Sequence, residues 1–418
     1  MNRPPQPKSS VNRRSFLKSL AVASGASVLA APFARAELPK ATITRIRVYD
    51  PPNVNPIFNQ SNLVVTIETD IGITGIGEGG AKDTLDQAGA RLIGRNPFDI
   101  ERNWQDMYRS FFYPPGREKI DAIGALDMAL WDIKGKALNV PVYDLLGGMA
   151  RNYCECYLGG GGTGKQLQDN ARAAIEAGYR AFRTDAASLG RGAGSVYDTH
   201  ERVRQVIQDC HDMREGVGKD GDFLIDLHQR FDYADGLRVC KQIEDLEPYL
   251  VEDPVRTEAF NEDIPKLRKV TTVPLAAGEE WGQRWDFNKL VEAHDVDYVR
   301  CTMPNVGGIT EMVKIAAMCE THFVGMVPHF TGPISTAANV HCLGPFSGPV
   351  LFEIGSNSRP ANYLPEGLDF KDGKCWPNKR PGLGITLDMA RLTQIAEITV
   401  AGTGRTLYQR RDGSMTNW

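Results

Sequence analysis

From residue 41 the chain alternates apolar and polar positions in three stretches, 41–50, 62–69 and 73–78, the last two joined through Asp70-Ile71-Gly72. A period of two is that of half-buried strands, and the joint reads as a hairpin turn. Helical spacing follows over 84–93 and 99–112. It is clearest over 120–138, where Ile123, Leu126, Leu130 and Ile133 with Ala122 and Ala129 form one stripe that Asn139 and Pro141 end. A meander of strands followed by helices predicts a separate α+β unit. From Asn152 the pattern becomes short apolar runs separated by helical stretches. The runs are 154–158, 179–184, 223–226, 249–252, 274–277, 298–302, 324–328 and 350–354. Eight runs with seven helical intervals predict an α/β fold built on a (β/α)7β TIM-like barrel rather than an open sheet. The last stretch is rich in Pro, Gly and turns, is too short to fold alone, and is expected to pack back on the first unit. The expected domains are a leader over 1–36, an α+β capping domain over 37–150, a modified barrel over 151–355 and a C-terminal segment over 356–418 that completes the cap.

The leader stands apart in composition. Arg13-Arg14-Ser15-Phe16-Leu17-Lys18 precedes a mild apolar stretch over 19–31 and then Ala34-Arg35-Ala36. A basic region, a short apolar region and an A-x-A site in that order read as a cleaved signal peptide. The arginine pair resembles a twin-arginine export signal, an address rather than an anchor. The expected location is therefore periplasmic or exported, with the twin-arginine translocase as a partner in transit. Removing the leader's six cations takes the formal net charge from −4 to −10. Such a charge disfavours nucleic acid and anionic membranes as partners, and no apolar run spans a bilayer. The eight cysteines show no disulfide framework and no zinc spacing, so they read as buried small hydrophobes.

Three barrel runs end in an acid: Phe223-Leu224-Ile225-Asp226, Tyr249-Leu250-Val251-Glu252 and Pro274-Leu275-Ala276-Ala277-Gly278-Glu279. Their spacings of 26 and 27 residues each match one strand–helix unit. Carboxylates at the C-terminal ends of three neighbouring parallel strands converge on the active face of such a barrel. An oxygen-only cluster suits a hard divalent cation, Mg²⁺ above all. The plainer alternative is that each acid caps the helix after its own strand.

Further motifs surround these acids. They are Ala129-Leu130-Trp131-Asp132-Ile133-Lys134-Gly135-Lys136, Val251-Glu252-Asp253-Pro254-Val255, Gly307-Gly308-Ile309-Thr310 and Pro381-Gly382-Leu383-Gly384-Ile385. In this order the set resembles the enolase superfamily, in the branch holding mandelate racemase, muconate-lactonising enzymes and the acid-sugar dehydratases. The resemblance covers essentially everything after the leader. It implies one Mg²⁺ per subunit on Asp226, Glu252 and Glu279, chelation of a substrate carboxylate, removal of the proton beside it and an enediolate stabilised by the metal. A fixed divalent charge at the point where negative charge develops is the strongest stabilisation that such sites offer.

Which residues move the protons is less uniform. The Lys-x-Lys pair of racemase relatives is replaced by Phe182-Arg183-Thr184-Asp185. Asp226-Leu227-His228 gives Asp-x-His, with both side chains on one side of an extended strand. It resembles galactonate and mannonate dehydratases, where the histidine protonates the departing hydroxyl. Arg183 falls where mannonate-type relatives pair an arginine with a loop tyrosine as base, and Tyr197 follows a Gly-rich loop. His329 matches the base of galactonate-type relatives, but Thr302 stands where its acidic partner is expected. The base is thus His329 or the Arg183–Tyr197 pair. Glu353 matches a family acid that binds the substrate carboxylate or enediolate oxygen. Asp185 and Glu280 are further acids near the site without an assigned role. The 51–62 loop and the 111–116 turn are the expected lid. The leading expectation is a carbon–oxygen lyase that dehydrates a sugar acid to a 2-keto-3-deoxy acid and acts as a homo-oligomer. A racemase, epimerase or cycloisomerase of the same superfamily is the alternative, and an exported carboxylate-binding protein without turnover a third.

Overall fold

The computed structural model describes residues 38–52, 61–110, 113, 115–185, 197–354, 362–402 and 407–416. The expected leader, most of the 51–62 loop, much of the 111–116 turn and the Gly-rich loop before Tyr197 lie outside these residues. No described helix is long and apolar enough to cross a membrane.

The alternating stretches form β1 (Ile43–Asp50), β2 (Val64–Thr69) and β3 (Thr74–Glu78). Gly72 makes the hairpin turn at φ 78°, a backbone region open mainly to glycine. Three helices follow: α1 (Lys82–Gly89), α2 (Ile100–Arg109) and α3 (Arg117–Leu138). The predicted stripe of α3 buries Ile123, Leu126, Leu130 and Ile133 against Ile46, Val65 and Ile67 of the sheet. Strand β3 reads Thr-Gly-Ile-Gly-Glu because α3 crosses it at backbone distance. A Cβ on Gly75 or Gly77 would lie 2.0 or 1.9 Å from the carbonyl oxygens of Ala129 and Ala125. The helix ends at Asn139, whose left-handed backbone (φ 56°) lets its N–H bond Gly135 and Lys136. A short turn, α4 (Val142–Leu145), leads into the barrel.

The eight apolar runs become parallel strands: β4 (Cys154–Gly159), β5 (Ala181–Asp185), β6 (Asp222–Asp226), β7 (Leu250–Glu252), β8 (Leu275–Ala277), β9 (Tyr298–Val299), β10 (Gly325–Met326) and β11 (Phe352–Ile354). The intervals hold α5 (Lys165–Glu176), α6 (Thr199–Val217), α7 (Tyr233–Gln242), α8 (Phe260–Arg268), α9 (Arg284–Glu292), α10 (Ile309–Thr321) and α11 (Pro333–Leu343). Strands β4 to β10 pair in order, and β11 returns to pair with β4. The remaining seam is narrow: one bridge, Met326 to Val350, joins β10 to the entry of β11. Both faces of the strands are buried, which is why they read as continuous apolar runs.

The C-terminal segment divides between the two parts. Strand β14 (Thr393–Ile398) pairs antiparallel with β1 and completes the capping sheet. The hairpin β12 (Asp369–Lys371) and β13 (Lys374–Trp376) instead pairs with β4, so this portion extends the barrel rather than the cap. Between them, Gly382 exchanges backbone bonds with Val140 and Val142, and Asp132 of α3 accepts the Leu383 N–H at 2.8 Å. The Pro-Gly-Leu-Gly-Ile motif is thereby a clasp across the seam.

Two buried acids of the cap also terminate barrel helices. Asp127 accepts the N–H (2.9 Å) and hydroxyl (2.6 Å) of Thr310 at the start of α10. Glu78, at the end of β3, accepts the Ser335 N–H at 2.7 Å in the first turn of α11. Helix N-termini expose unpaired N–H groups and positive potential, so carboxylates dock there well. Burial still pushes both carboxyls up to about 7, against 4.5 and 3.8 for ordinary Glu and Asp. The folded chain therefore keeps protons that the unfolded chain releases. The stability these groups contribute is complete below about pH 4 and is lost as pH rises through about 7. Combining Glu78→Gln with Asp127→Asn removes both titrations. Melting followed by circular dichroism should then show a smaller fall in Tm between about pH 5 and pH 8 than in the parent protein.

Candidate active site

Inside the barrel, Tyr157, Ala181, Leu224, Leu250, Ala276, Val327 and Leu351 form one apolar cluster, with Tyr298 packed against it. Side chains alternate along a strand, so the residue two positions further on faces the same way. Adding two to each strand's member of this floor gives Gly159, Arg183, Asp226, Glu252, Gly278, Arg300, His329 and Glu353. One layer above the apolar floor the barrel thus carries a ring of six polar side chains and two glycines. Glu279 follows Gly278, whose φ of 122° turns the chain after β8.

The ring is held by two guanidiniums. Arg300 is wholly buried; its Nε lies 2.6 Å from Glu252 Oε1 and its Nη2 2.7 Å from Glu353 Oε2, and its Nη1 bonds the carbonyls of Val327 and Pro328. Arg183 Nη1 donates to Asp226 Oδ2 (3.2 Å) and Glu252 Oε2 (2.9 Å), and Nη2 to Glu353 Oε1 (3.1 Å). Burial works against charge on Glu252 and Glu353, yet the two arginines outweigh it and hold both carboxyls below their ordinary range. Asp226 and Glu279 lie on the other side of this balance. Burial and the neighbouring carboxyls push both well above it.

Glu279 separates the two histidines. His228 Nε2 lies 3.8 Å from its Oε1, and His329 Nε2 lies 3.7 Å from its Oε2. Burial lowers both imidazoles, His329 to about 4, so His329 is neutral at neutral pH. His228 does not continue an extended strand. Strand β6 ends at Asp226, and His228 and Gln229 adopt φ values of 50° and 58°. A crossed set of bonds imposes this turn: Asp226 Oδ1 accepts the His228 N–H at 2.7 Å, and Gln229 Nε2 reaches Asp253 Oδ2 at 3.0 Å. Asp253 is itself at φ 42°. Consecutive non-glycine residues in this region cost roughly 1–3 kcal/mol each and cluster where a site dictates the backbone.

The expected Arg183–Tyr197 pair is not formed. The half-exposed Tyr197 donates to the Arg230 carbonyl at 3.3 Å, with Arg202 over its ring, while Arg183 is taken up by three carboxyls. Burial raises the phenol, against Arg202, Arg230 and Arg256. Thr302 does not serve His329 either: its hydroxyl donates to the Glu279 carbonyl at 3.0 Å. Both oxygens of Glu353 are spent on guanidiniums and the Phe330 N–H, so it accepts within the protein. Arg300 lies outside the quoted motifs and Asp253 lies within one without an assigned role, although the period-two rule applied to the strand at 298–302 points directly to Arg300.

Among the described residues no three His, Cys, Asp or Glu side chains stand in a metal-holding arrangement. Asp226, Glu252 and Glu279 are therefore not a preassembled ligand set, because the Arg183 guanidinium lies between the first two. Their chemistry still fits a hard divalent ion. Counting Asp253, five carboxyls face two arginines, and Asp226 and Glu279 are driven towards protonation by burial and then by the neighbouring carboxyls.

Residues 45–147 match the family model of the mandelate racemase/muconate lactonizing enzyme N-terminal domain, and residues 166–391 the enolase C-terminal domain-like model. The chain is 35% identical over 375 residues to a D-galactonate dehydratase of Xanthomonas oryzae pv. oryzae, covering 85% of this chain and 96% of that one. A D-galactonate dehydratase of Cronobacter sakazakii is 33% identical over the same length and coverage. Among solved structures, an enolase from Pantoea ananatis with bound D-gluconate and Mg superposes with a TM-score of 0.76 at 26% identity, over 84% of this chain and 94% of that one. An enolase from Agrobacterium radiobacter with bound Na and L-malate does so at 0.75 and 27%, over 90% and 99%. The chain belongs to the mandelate racemase/muconate lactonizing enzyme family of the enolase superfamily.

Removing Arg300 would leave Glu252 and Glu353 buried beside one cation instead of two. Arg300→Met should cost about 3–5 kcal/mol of folding free energy, as loss of one partner from a buried ion pair does. Urea denaturation measures it, and a cost below about 1 kcal/mol would show the pairing to be dispensable.

Proposed function

We propose that the protein is a Mg²⁺-dependent dehydratase of a sugar acid, a carbon–oxygen lyase that forms a 2-keto-3-deoxy acid. The observation that carries this reading is the placement of His228 and His329 on the two oxygens of Glu279. The relatives named D-galactonate dehydratase and the neighbour holding D-gluconate support an aldonate as the first substrate to try.

Asp226, Glu252 and Glu279 would hold the Mg²⁺, which would supply fixed positive charge for a substrate carboxylate that gains negative charge as its α-proton leaves. The protein's own groups divide the remaining work. His329, neutral and buried, is the base that takes the α-proton; the Arg183–Tyr197 alternative has no contact between its members to support it. His228, more exposed at the mouth, acts in its protonated form, which burial opposes and the charges of Glu252 and Asp185 favour, and gives that proton to the β-hydroxyl, which departs as water. Arg300 keeps Glu252 and Glu353 charged and in register beneath them.

The test is an acid-sugar panel with Mg²⁺, assayed for 2-keto product and by chiral analysis. In D₂O, His329→Asn is expected to abolish α-proton exchange. His228→Asn should still exchange the proton but lose ketone formation by about 10²–10⁴-fold. Isomerised acid without ketone would make the enzyme an isomerase, and binding without exchange would make it a carboxylate-binding protein.

We further propose export through the twin-arginine route. Arg13-Arg14, the apolar stretch after them and Ala34-Arg35-Ala36 support it, and so do eight free buried thiols in a chain that crosses already folded. Replacing Arg13 and Arg14 with Lys should leave an uncleaved protein in the cytoplasmic fraction. An unchanged periplasmic fraction would refute this route.

A further inference from the structure

We infer that Arg183 is a displaceable internal counter-ion, so that seating a divalent cation and keeping the Arg183 contacts to Asp226 and Glu252 exclude one another. This rests on the reading of Asp226, Glu252 and Glu279 as the metal ligands. Asp226 and Glu252 are direct register partners on β6 and β7. Arg183 Nη1 bridges them at 3.2 and 2.9 Å, which puts one nitrogen in the gap between adjacent strand ends. A cation bound by both carboxylates needs the same oxygens and the same gap.

The two arginines of the ring are not equivalent. Arg300 is wholly buried and spends its donors on Glu252, Glu353 and two backbone carbonyls, which fixes it in place. Among the described residues the side-chain hydrogen bonds of Arg183 go to carboxylates, all three of them to ring members. Its side chain lies nearer the mouth, with 14% of it exposed, and its guanidinium rests over the Tyr157 ring at 5.6 Å. A long, permanently charged side chain held by carboxylates alone can rotate out without breaking a backbone bond.

The cost of this arrangement is readable as affinity. A metal that binds only the Arg183-out state has its apparent Kd raised by the inverse of that state's population. Arg183 in place nine times in ten would weaken binding about tenfold.

Isothermal titration with MgCl₂ tests this on the intact chain and on Arg183→Gln, alongside crystal structures of the wild-type protein with and without Mn²⁺. The expected results are about tenfold tighter Mg²⁺ binding by the variant and an Arg183 side chain withdrawn from Asp226 and Glu252 in the Mn²⁺ structure. Circular dichroism should show the metal-free variant melting below the wild type, with Mg²⁺ closing the difference. Mn²⁺ seated on Asp226, Glu252 and Glu279 with both Arg183 bonds intact overturns the inference and leaves the metal assignment standing. Equal or weaker Mg²⁺ binding by Arg183→Gln overturns it too. If neither protein binds Mg²⁺ or Mn²⁺, the metal assignment falls together with the inference.

Discussion

The barrel mouth is organised by one electrostatic constraint: several carboxyls must be buried side by side on a floor that is mainly apolar. Each would be neutralised by protonation if left alone, because burial and like-charge repulsion both disfavour the anion. Arg300 settles the matter for Glu252 and Glu353 by standing between them with all three of its side-chain nitrogens engaged. Arg183 does so less completely for Asp226, and among the described residues the nearest guanidinium to Glu279 is that of Arg300, at 3.9 Å. The ring is therefore graded. Glu252 and Glu353 each meet both guanidiniums, whereas Asp226 meets only that of Arg183 at 3.2 Å and Glu279 that of Arg300 at 3.9 Å among the described residues.

The surrounding fold serves that ring. The apolar floor sets the height of the polar layer, because a two-residue step on every strand carries the chain from one to the other. Gly159, at one of the two places without a side chain, leaves room above the floor, whereas a Cβ at Gly278 would meet Phe287 at 2.6 Å. The cap is tied to the same structure by carboxylates of its own. Asp127 and Glu78 terminate α10 and α11, and α11 begins just after His329, so the cap sheet and the candidate base share a continuous set of bonds. Around the site, side-chain bonds to Asp226 and Asp253 hold His228, Gln229 and Asp253 in a backbone region that non-glycine residues rarely adopt.

Much of this was legible in the chain. The alternation in 41–78, the stripe of α3 and the eight apolar runs located the elements to within a few residues, since each rests on local periodicity. The even spacing of Asp226, Glu252 and Glu279 located the acidic side of the site for the same reason, because one strand–helix unit has a nearly constant length. Arg300 was legible as well, by the period of two, but it falls just outside the regular strand at Tyr298–Val299, where the alternation is too short to stand out. The split of the C-terminal segment between cap and barrel was not legible. Strand β14 and the β12–β13 hairpin carry no pattern that distinguishes their partners, and only the free edges available to them decide where each pairs.

By itself the sequence determined the barrel, the cap and the chemical types available at the strand ends, because those follow from periodicity and spacing along the chain. Tertiary structure alone decided which charges pair. It placed Arg183 among the carboxyls rather than beside Tyr197, gave Thr302 to a backbone carbonyl, and turned His228 out of the strand towards Glu279. The physical reason is that ion pairing in a buried site depends on distances of a few ångströms between residues far apart in the chain. Such distances are fixed by the closure of the barrel and by the total charge it encloses, neither of which any local segment contains.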